Sequence, residues 1–304
     1  MLFHVDPKTT TLLNLREEPK PGPIIAAMPQ GTRVRKLNEH QSKPVWWQVE
    51  TSISNEAVTG FTHSSFLVEG EPPVLADVDL TGIPAVNLRK NGKIRSQNGG
   101  RAFPLDERGM PSRGNGTISQ RAQALIDIIN YLNPGKSSHR RYWPGGGKTF
   151  CNIYAYDYAM RCGVYLPRVW WKDSALVSIG QGSVPDVLYG KTVRELSANM
   201  LHDWFGEFGP QFGWRRALSV DELQTAANEG QVAIIVAKRA NAARSGHIAA
   251  VVPEHGGIQA ARANGQVTRP VESQAGSTNY RAKVKSRRWW QAAQFQSFGF
   301  WRQR

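Results

Sequence analysis

Residues 71–116 are rich in Pro, Gly, Asn and Arg and carry only brief apolar pieces, such as residues 83–88. A stretch this long without regular structure is uncommon inside one compact domain, so it predicts a domain boundary. At roughly 100–200 residues per domain, a chain of 304 residues accommodates two. The expected division is an N-terminal domain over residues 1–70, a linker with possible short strands over 71–116, and a C-terminal domain over 117–304.

The two flanks have different patterns. Residues 12–15, 24–27, 32–37, 45–49 and 58–61 are short β-prone runs separated by turn residues, the signature of a small all-β module. From residue 117 onwards helix and strand mix. Ala122, Leu125, Ile126 and Ile129 fall on one face of a helix over 119–132, closed by Pro134-Gly135. Residues 149–162, 193–205 and 220–228 are further helices, the last with Ser219 as N-cap and Glu222 at the capping-box position. Strands are expected over 232–237, 247–252, 258–261, 271–275 and 298–301. Helices first and antiparallel strands afterwards predict an α+β domain.

Charge narrows the partners. Lys+Arg 38 against Asp+Glu 24 leaves +14, a surplus that favours polyanions such as anionic envelope polymers. Neither a polybasic arm nor zinc-finger spacing is present, so sequence-specific nucleic-acid reading is not expected. No apolar run reaches the ~18 residues of a membrane span. The first residues lack a basic start followed by an apolar stretch, so no ordinary secretory signal is expected. Cys151 and Cys162 lie eleven positions apart in one expected helix, about three turns, too far to bridge. The seven histidines have no metal-ligand spacing, and neither metal nor cofactor is expected. Gly145-Gly146-Gly147-Lys148-Thr149 looks like a phosphate loop, but Tyr142 replaces its first glycine and no strand precedes it.

Leu13-Asn14-Leu15-Arg16, Gly31, Trp46-Trp47 and residues 60–67 (Gly-Phe-Thr-His-Ser-Ser-Phe-Leu) occur in the order found in bacterial SH3 domains, which this fifth of the chain resembles. Phe61 replaces the usual Trp, and the connection over 51–57 is longer. The resemblance implies a small barrel that binds cell-wall peptide or glycan. On the residues alone, Trp46, Trp47 and Phe61 suit either a barrel core or a sugar-stacking platform.

Cys151 carries the chemistry. With Thr149 as N-cap it would sit in the first helical turn, where free N–H groups and the helix dipole favour a thiolate. Positions 151, 154, 155, 158 and 162 share one face. An isolated cysteine is usually a small core hydrophobe, the reading kept for Cys162. Downstream, residues 231–237 form a buried-strand run, and Gly246-His247 opens the returning strand Ile248-Ala249-Ala250-Val251-Val252. A nucleophile helix followed by a Gly-His strand resembles papain-like cell-wall hydrolases of the NlpC/P60 and CHAP kinds over roughly residues 149–280. That resemblance implies a papain-like domain with an antiparallel sheet and a Cys151–His247 pair. It also places a third, ring-orienting group on the strand after the histidine.

Glu272 and Gln274 alternate to the same side of that strand. Gln274 is favoured because it adjoins the small residues Ala275-Gly276, with Glu272, Glu254 and Asn279 as alternatives. Tyr142 is a candidate oxyanion or substrate contact. Trp170-Trp171, Trp289-Trp290, Trp204, Trp214 and Trp301 suit core positions better than a sugar groove. The resulting expectation is a peptidoglycan hydrolase that cleaves an amide bond through a thioester. It would be made in the cytoplasm and act at the wall or periplasm after phage lysis or specialised secretion. Alternatives are a papain-like toxin or effector that deamidates or cleaves a host protein, and a non-catalytic wall-binding protein.

Overall fold

Short alternating runs need several partners before they bury a face, and the first ~70 residues supply them in succession. The computed structural model describes residues 1–6, 12–29, 31–53, 56–71 and 78–304. Gln30, residues 54–55 of the long connection and residues 72–77 of the expected linker lie outside the described residues. Seven strands come first: β1 Leu2–Val5, β2 Leu12–Arg16, β3 Ile24–Pro29, β4 Arg33–His40, β5 Lys43–Ile53, β6 Glu56–His63 and β7 Leu67–Glu69. Then follow α1 Ile118–Leu132, α2 Cys151–Arg161, β8 Val169–Trp171, α3 Asp173–Gly180, β9 Val193–Glu195, α4 Ala198–Glu207, β10 Arg215–Arg216 and α5 Val220–Asn228. The remainder is β11 Val232–Arg239, β12 His247–Val251, β13 Ala261–Ala263, β14 Gln266–Arg269, β15 Val271–Gln274, β16 Tyr280–Val284 and β17 Phe295–Gln303. The class is α+β, with five α-helices among the described residues. None of them is long and apolar enough to cross a membrane.

The chain forms two compact units, Met1–Pro84 with Trp171–Arg194, and Ala85–Trp170 with Glu195–Arg304. This differs from the expected continuous division, in which residues 171–194 belonged with the C-terminal domain. Contacts that the pattern of elements does not reveal place them in the first unit. Trp171 Nε1–H donates to the Pro84 carbonyl, and Gly180 packs directly on Val78 and the Asp79 carbonyl.

In the first unit the strands form one antiparallel sheet in the order β3-β2-β6-β5-β4-β1-β7. Its core is Phe3, Val5, Leu13, Leu15, Met28, Val34 and Val49, with Trp47 and Phe66 packed at its edge. Strands β1 and β7 extend the five runs expected from sequence.

In the second unit a six-stranded antiparallel sheet runs β10-β17-β11-β12-β15-β16. Central β11 is an unbroken apolar run because both of its faces are covered. Ala233, Ile235 and Ala237 meet Leu223 and Ala227 of α5, together with Trp290 and Phe300; α4 also packs on β11 and α2 on β12. Trp170, Trp204, Trp214, Trp290 and Trp301 are buried, as is Trp171 in the first unit.

Three expectations are corrected. Residues 193–205 are not one helix: residues 193–195 form β9, and Ser197 Oγ accepts from Met200 N–H, so α4 starts only at Ala198. The strand expected over 258–261 is displaced to β13, which turns into β14 through Asn264 and Gly265, with φ of 49° and 79°. Positive φ at both central residues is what a tight hairpin turn requires, and Asn-Gly supplies it. The described part of residues 71–116 contains no strand. Its backbone is tied by other partners: the Val86 N–H and C=O bond to the Tyr165 hydroxyl, and the Arg95 main-chain N–H donates to the Glu107 carboxylate. Val86, Leu88, Ala102 and Leu105 are buried, so residues 85–116 are an integral irregular part of the second unit and not a free linker.

Candidate active site

Helix α2 begins at Cys151 itself. Phe150, not Thr149, is the N-cap and has no side-chain cap bond, which corrects the expected cap. The helix is buried over most of its circumference, and Asp157 anchors it. Arg141 Nε and Nη2 donate to Asp157 at 2.6 and 3.0 Å, and the Tyr142 hydroxyl donates at 2.9 Å. Tyr142 is therefore held in the core, fully buried, and lines no groove. The substrate-contact role expected for it is not supported, and its neighbour Trp143 occupies the groove instead. In the first unit Trp46 stands edge-on to His63, with ring centroids 5.5 Å apart. Trp47 packs on Phe3 under the Lys36 ammonium, so Trp47 serves the core more than an open platform.

The Cys151 sulfur faces the backbone N–H groups of Ile248, Asn152 and its own residue. Ile248 follows His247, so the thiol at the start of α2 lies against the backbone at the start of the histidine strand β12. Gly246 lets the start of β12 lie close on β11: a Cβ there would stand 2.3 Å from the Ala237 carbonyl oxygen. His247 Nε2 and Gln274 Oε1 are 2.5 Å apart. The amide orientation follows from its other end, where Gln274 Nε2 donates to the Thr278 carbonyl at 2.9 Å. The oxygen therefore faces the ring, the ring proton is on Nε2, and Nδ1 is the ring's proton acceptor.

The alternatives to Gln274 are engaged elsewhere. Glu254 binds Arg262, Asn228 and the Ala260 N–H, bonds that hold its carboxyl down at about 2. Asn279 accepts from Gly276 N–H and donates to the Pro134 and Tyr142 carbonyls. Glu272, two residues before Gln274 on β15, accepts from Trp289 Nε1 at 2.9 Å and from the Tyr280 hydroxyl at 3.2 Å. The irregularity in the β15–β16 register puts its extra residue on β16, between Lys283 and Tyr280, and leaves the alternation of Glu272 and Gln274 along β15 intact. Trp289 in turn stands edge-on to His247, with ring centroids 4.6 Å apart.

Two adjoining grooves share Gly147, Thr149 and Ser245. His247, Gln274, Gly276 and Trp289 line one; Phe150, Asn152, Trp143 and Arg101 line the other. Cys151 itself is 2% exposed. Burial pushes its thiol up, outweighing the three N–H groups and the Arg168 guanidinium. Burial likewise pushes the His247 ring down to about 4, against the Gln274 bond and with Lys285 and Arg239 adding to the depression. Burial thus works against the thiolate expected at a helix start and against a charged ring. Among the described residues no three His, Cys, Asp or Glu side chains converge as a metal site.

Neither a protein-family model nor any curated protein matches this chain in sequence.

Sequence reasoning passed over Arg101, and took Gly276 only as a small neighbour of Gln274 and Trp289 as a core aromatic, whereas both line the groove with His247. Gly276 leaves a measurable signature: a Cβ at this position would lie 3.1 Å from Gln274 Nε2 and 3.3 Å from His247 Cε1. Gly276→Ala is expected to tilt the ring and lower kcat about tenfold, since small misplacements of reacting groups are costly. The urea midpoint should stay close to wild type, and a turnover rate equal to wild type would contradict this account.

Glu272 provides a second test. Burial pushes its carboxyl up to about 7 despite its two donors, and Oε1 is buried with no hydrogen-bond partner among the described residues. A raised carboxyl stabilises the fold below its ordinary 4.5 and loses that contribution as pH rises through about 7. The depressed His247 acts oppositely: its contribution is complete above 6.5 and lost as pH falls through about 4. Between 4.5 and 6.5 the two slopes offset each other. In Glu272→Gln only the histidine slope remains. The stability difference, variant minus wild type, is expected to grow by on the order of 2 kcal/mol from pH 4.5 to 7, as read in urea unfolding. A pH-independent difference would contradict the buried-acid assignment.

Proposed function

We propose that the second unit is a papain-like cysteine hydrolase that cleaves an amide bond of peptidoglycan. The observation that carries the reading is the constellation beside the groove that His247 and Gln274 line. A cysteine opens a helix with its sulfur at the N–H after His247, and His247 is oriented by Gln274 so that Nδ1 is left to take a proton. The antiparallel sheet bearing His247 and Gln274 on paired strands, with α2 packed on the histidine strand, is what a papain-like domain requires. The seven-stranded first unit and the SH3-like order of its motifs support a wall-binding module.

In the proposed reaction the Cys151 proton passes to His247 Nδ1 as the sulfur attacks the amide carbonyl carbon. The carbonyl electron pair moves onto oxygen, which accepts from the free N–H of the first helical turn. Collapse of this intermediate breaks the C–N bond, and the proton on Nδ1 goes to the leaving amine. Water then attacks the thioester, with Nδ1 again taking the proton, and releases the acid and the thiol. Because burial works against both charged forms, proton transfer accompanies attack.

The deciding experiment incubates purified sacculi with the full chain and follows turbidity and new amine termini, with mass analysis of the released fragments. Soluble fragments with one new amine and one new carboxyl terminus per cut are expected. Release of ammonia from protein glutamine, with sacculi left intact, would replace this substrate with a host protein. No product from either would overturn the hydrolase reading.

A further inference from the structure

The groove on the Phe150 side contains a cation that the reaction above does not use. Arg101 comes from the irregular stretch, and its guanidinium lies over the Phe150 ring, with Cζ 3.7 Å from the ring centroid. Nε donates to the Arg141 carbonyl at 2.9 Å; Nη2 donates to the Arg140 carbonyl at 2.8 Å and to Asn98 Oδ1 at 2.6 Å. Three of its five N–H groups thus fix the plane, and the two on Nη1 remain unengaged among the described residues. No acidic side chain pairs with it there. The one carboxylate in the same groove, Glu195, is bound to Arg168, while Arg140 and Lys148 add further positive charge.

Partial burial and the nearby Arg141 push the Arg101 guanidinium down, the mark of a cation lacking a counter-charge. A guanidinium plane held rigid against an aromatic ring, with the Nη1 donors left beside the residue preceding Cys151, is suited to a carboxylate that approaches Nη1 in that plane.

We propose that Arg101 anchors a carboxylate of the substrate, so that the peptides cleaved carry an acidic group on the Phe150 side of the bond attacked. This rests on the hydrolase reading for its consequence but not for its geometry. Specificity here comes from a fixed positive group in a groove whose one carboxylate, Glu195, already binds Arg168. An amide in place of the carboxylate would leave Arg101 without its counter-ion.

The test uses Cys151 as its own reporter. N-iodoacetyl-β-alanine and its neutral amide each alkylate the thiol: the sulfur displaces iodide, the C–S bond forms as C–I breaks, and the thiol proton leaves to His247. The acid should react about tenfold faster than the amide, relative to the same ratio for the unfolded chain. Arg101→Met should abolish the preference. Arg140→Met, which removes an equal charge from the same groove, should change it less than twofold. Equal losses in the two variants, or no preference in wild type, would overturn the proposal.

If Arg101→Met does not fold, Arg101→Lys keeps the charge without the fork and should still lose most of the preference. In unmodified protein, N-acetylglutamate should slow labelling by the neutral amide where N-acetylglutamine does not, and equal effects would overturn the proposal. Loss of the acid preference leaves the sacculus experiment untouched. Intact sacculi alongside an Arg101-dependent preference would instead remove the reaction and keep the anion site.

Discussion

Cys151→Ala is expected to abolish release of wall fragments, lowering the rate on the order of 10⁴-fold or more, because removing a nucleophile leaves only binding and oxyanion stabilisation. Cys162→Ala should stay within tenfold of wild type, although both thiols are buried and both belong to the same stretch of chain. What separates them is what each sulfur faces. Cys162 caps the far end of α2 against Tyr158 and Arg113, where burial pushes its thiol up to about 12. Cys151 is at the helix start, beside free N–H groups and the histidine strand. The same contrast should appear in alkylation by neutral iodoacetamide, with Cys151 labelled first by mass spectrometry of digested protein. A Cys151→Ala variant within tenfold of wild type, with unchanged urea midpoint, would end the thiol mechanism.

Cys151 and His247 were legible as a candidate pair because each sits in a short run whose residue types are informative together: a cysteine opening a helix, and Gly-His before an unbroken apolar strand. Gly246 makes the reason physical, since any side chain there would collide with the Ala237 carbonyl. The choice between Glu272 and Gln274 could not be made from alternation. Alternation puts both on one side of β15, and Glu272 is drawn to Trp289 and Tyr280 through contacts formed only by the folded sheet. Tyr142 was misplaced for a similar reason: the Asp157 carboxylate, fifteen positions on, pulls its hydroxyl inward and leaves Trp143 to the groove. Arg101 was invisible because an irregular segment carries no periodicity, and the helix α3 within residues 171–194 does not reveal which unit it joins. Their positions are set by hydrogen bonds to carbonyls far along the chain, which no local pattern encodes.

The irregular stretch also explains the largest stability effect expected in this protein. Arg141 and Asp157 are both essentially excluded from solvent, and the Arg141 guanidinium additionally donates to the Phe103 carbonyl at 2.9 Å. Asp157→Ala would leave that guanidinium buried without a counter-charge and the Tyr142 hydroxyl without its acceptor. Breaking such a pair typically costs about 3–5 kcal/mol, a large share of the ~5–15 kcal/mol that holds a domain folded. Arg141→Met combined with Asp157→Leu should cost much less than either single change, because no charge is then left stranded. Urea unfolding of the three variants checks this, and an Asp157→Ala loss under 1 kcal/mol would contradict it. Because Asp157 belongs to the helix that starts at Cys151, and Arg141 binds the segment that presents Arg101, the single variant should also lose fragment release below its own unfolding transition. The double variant should recover stability ahead of activity: its apolar pair replaces the buried charges but not the bond to the Phe103 carbonyl.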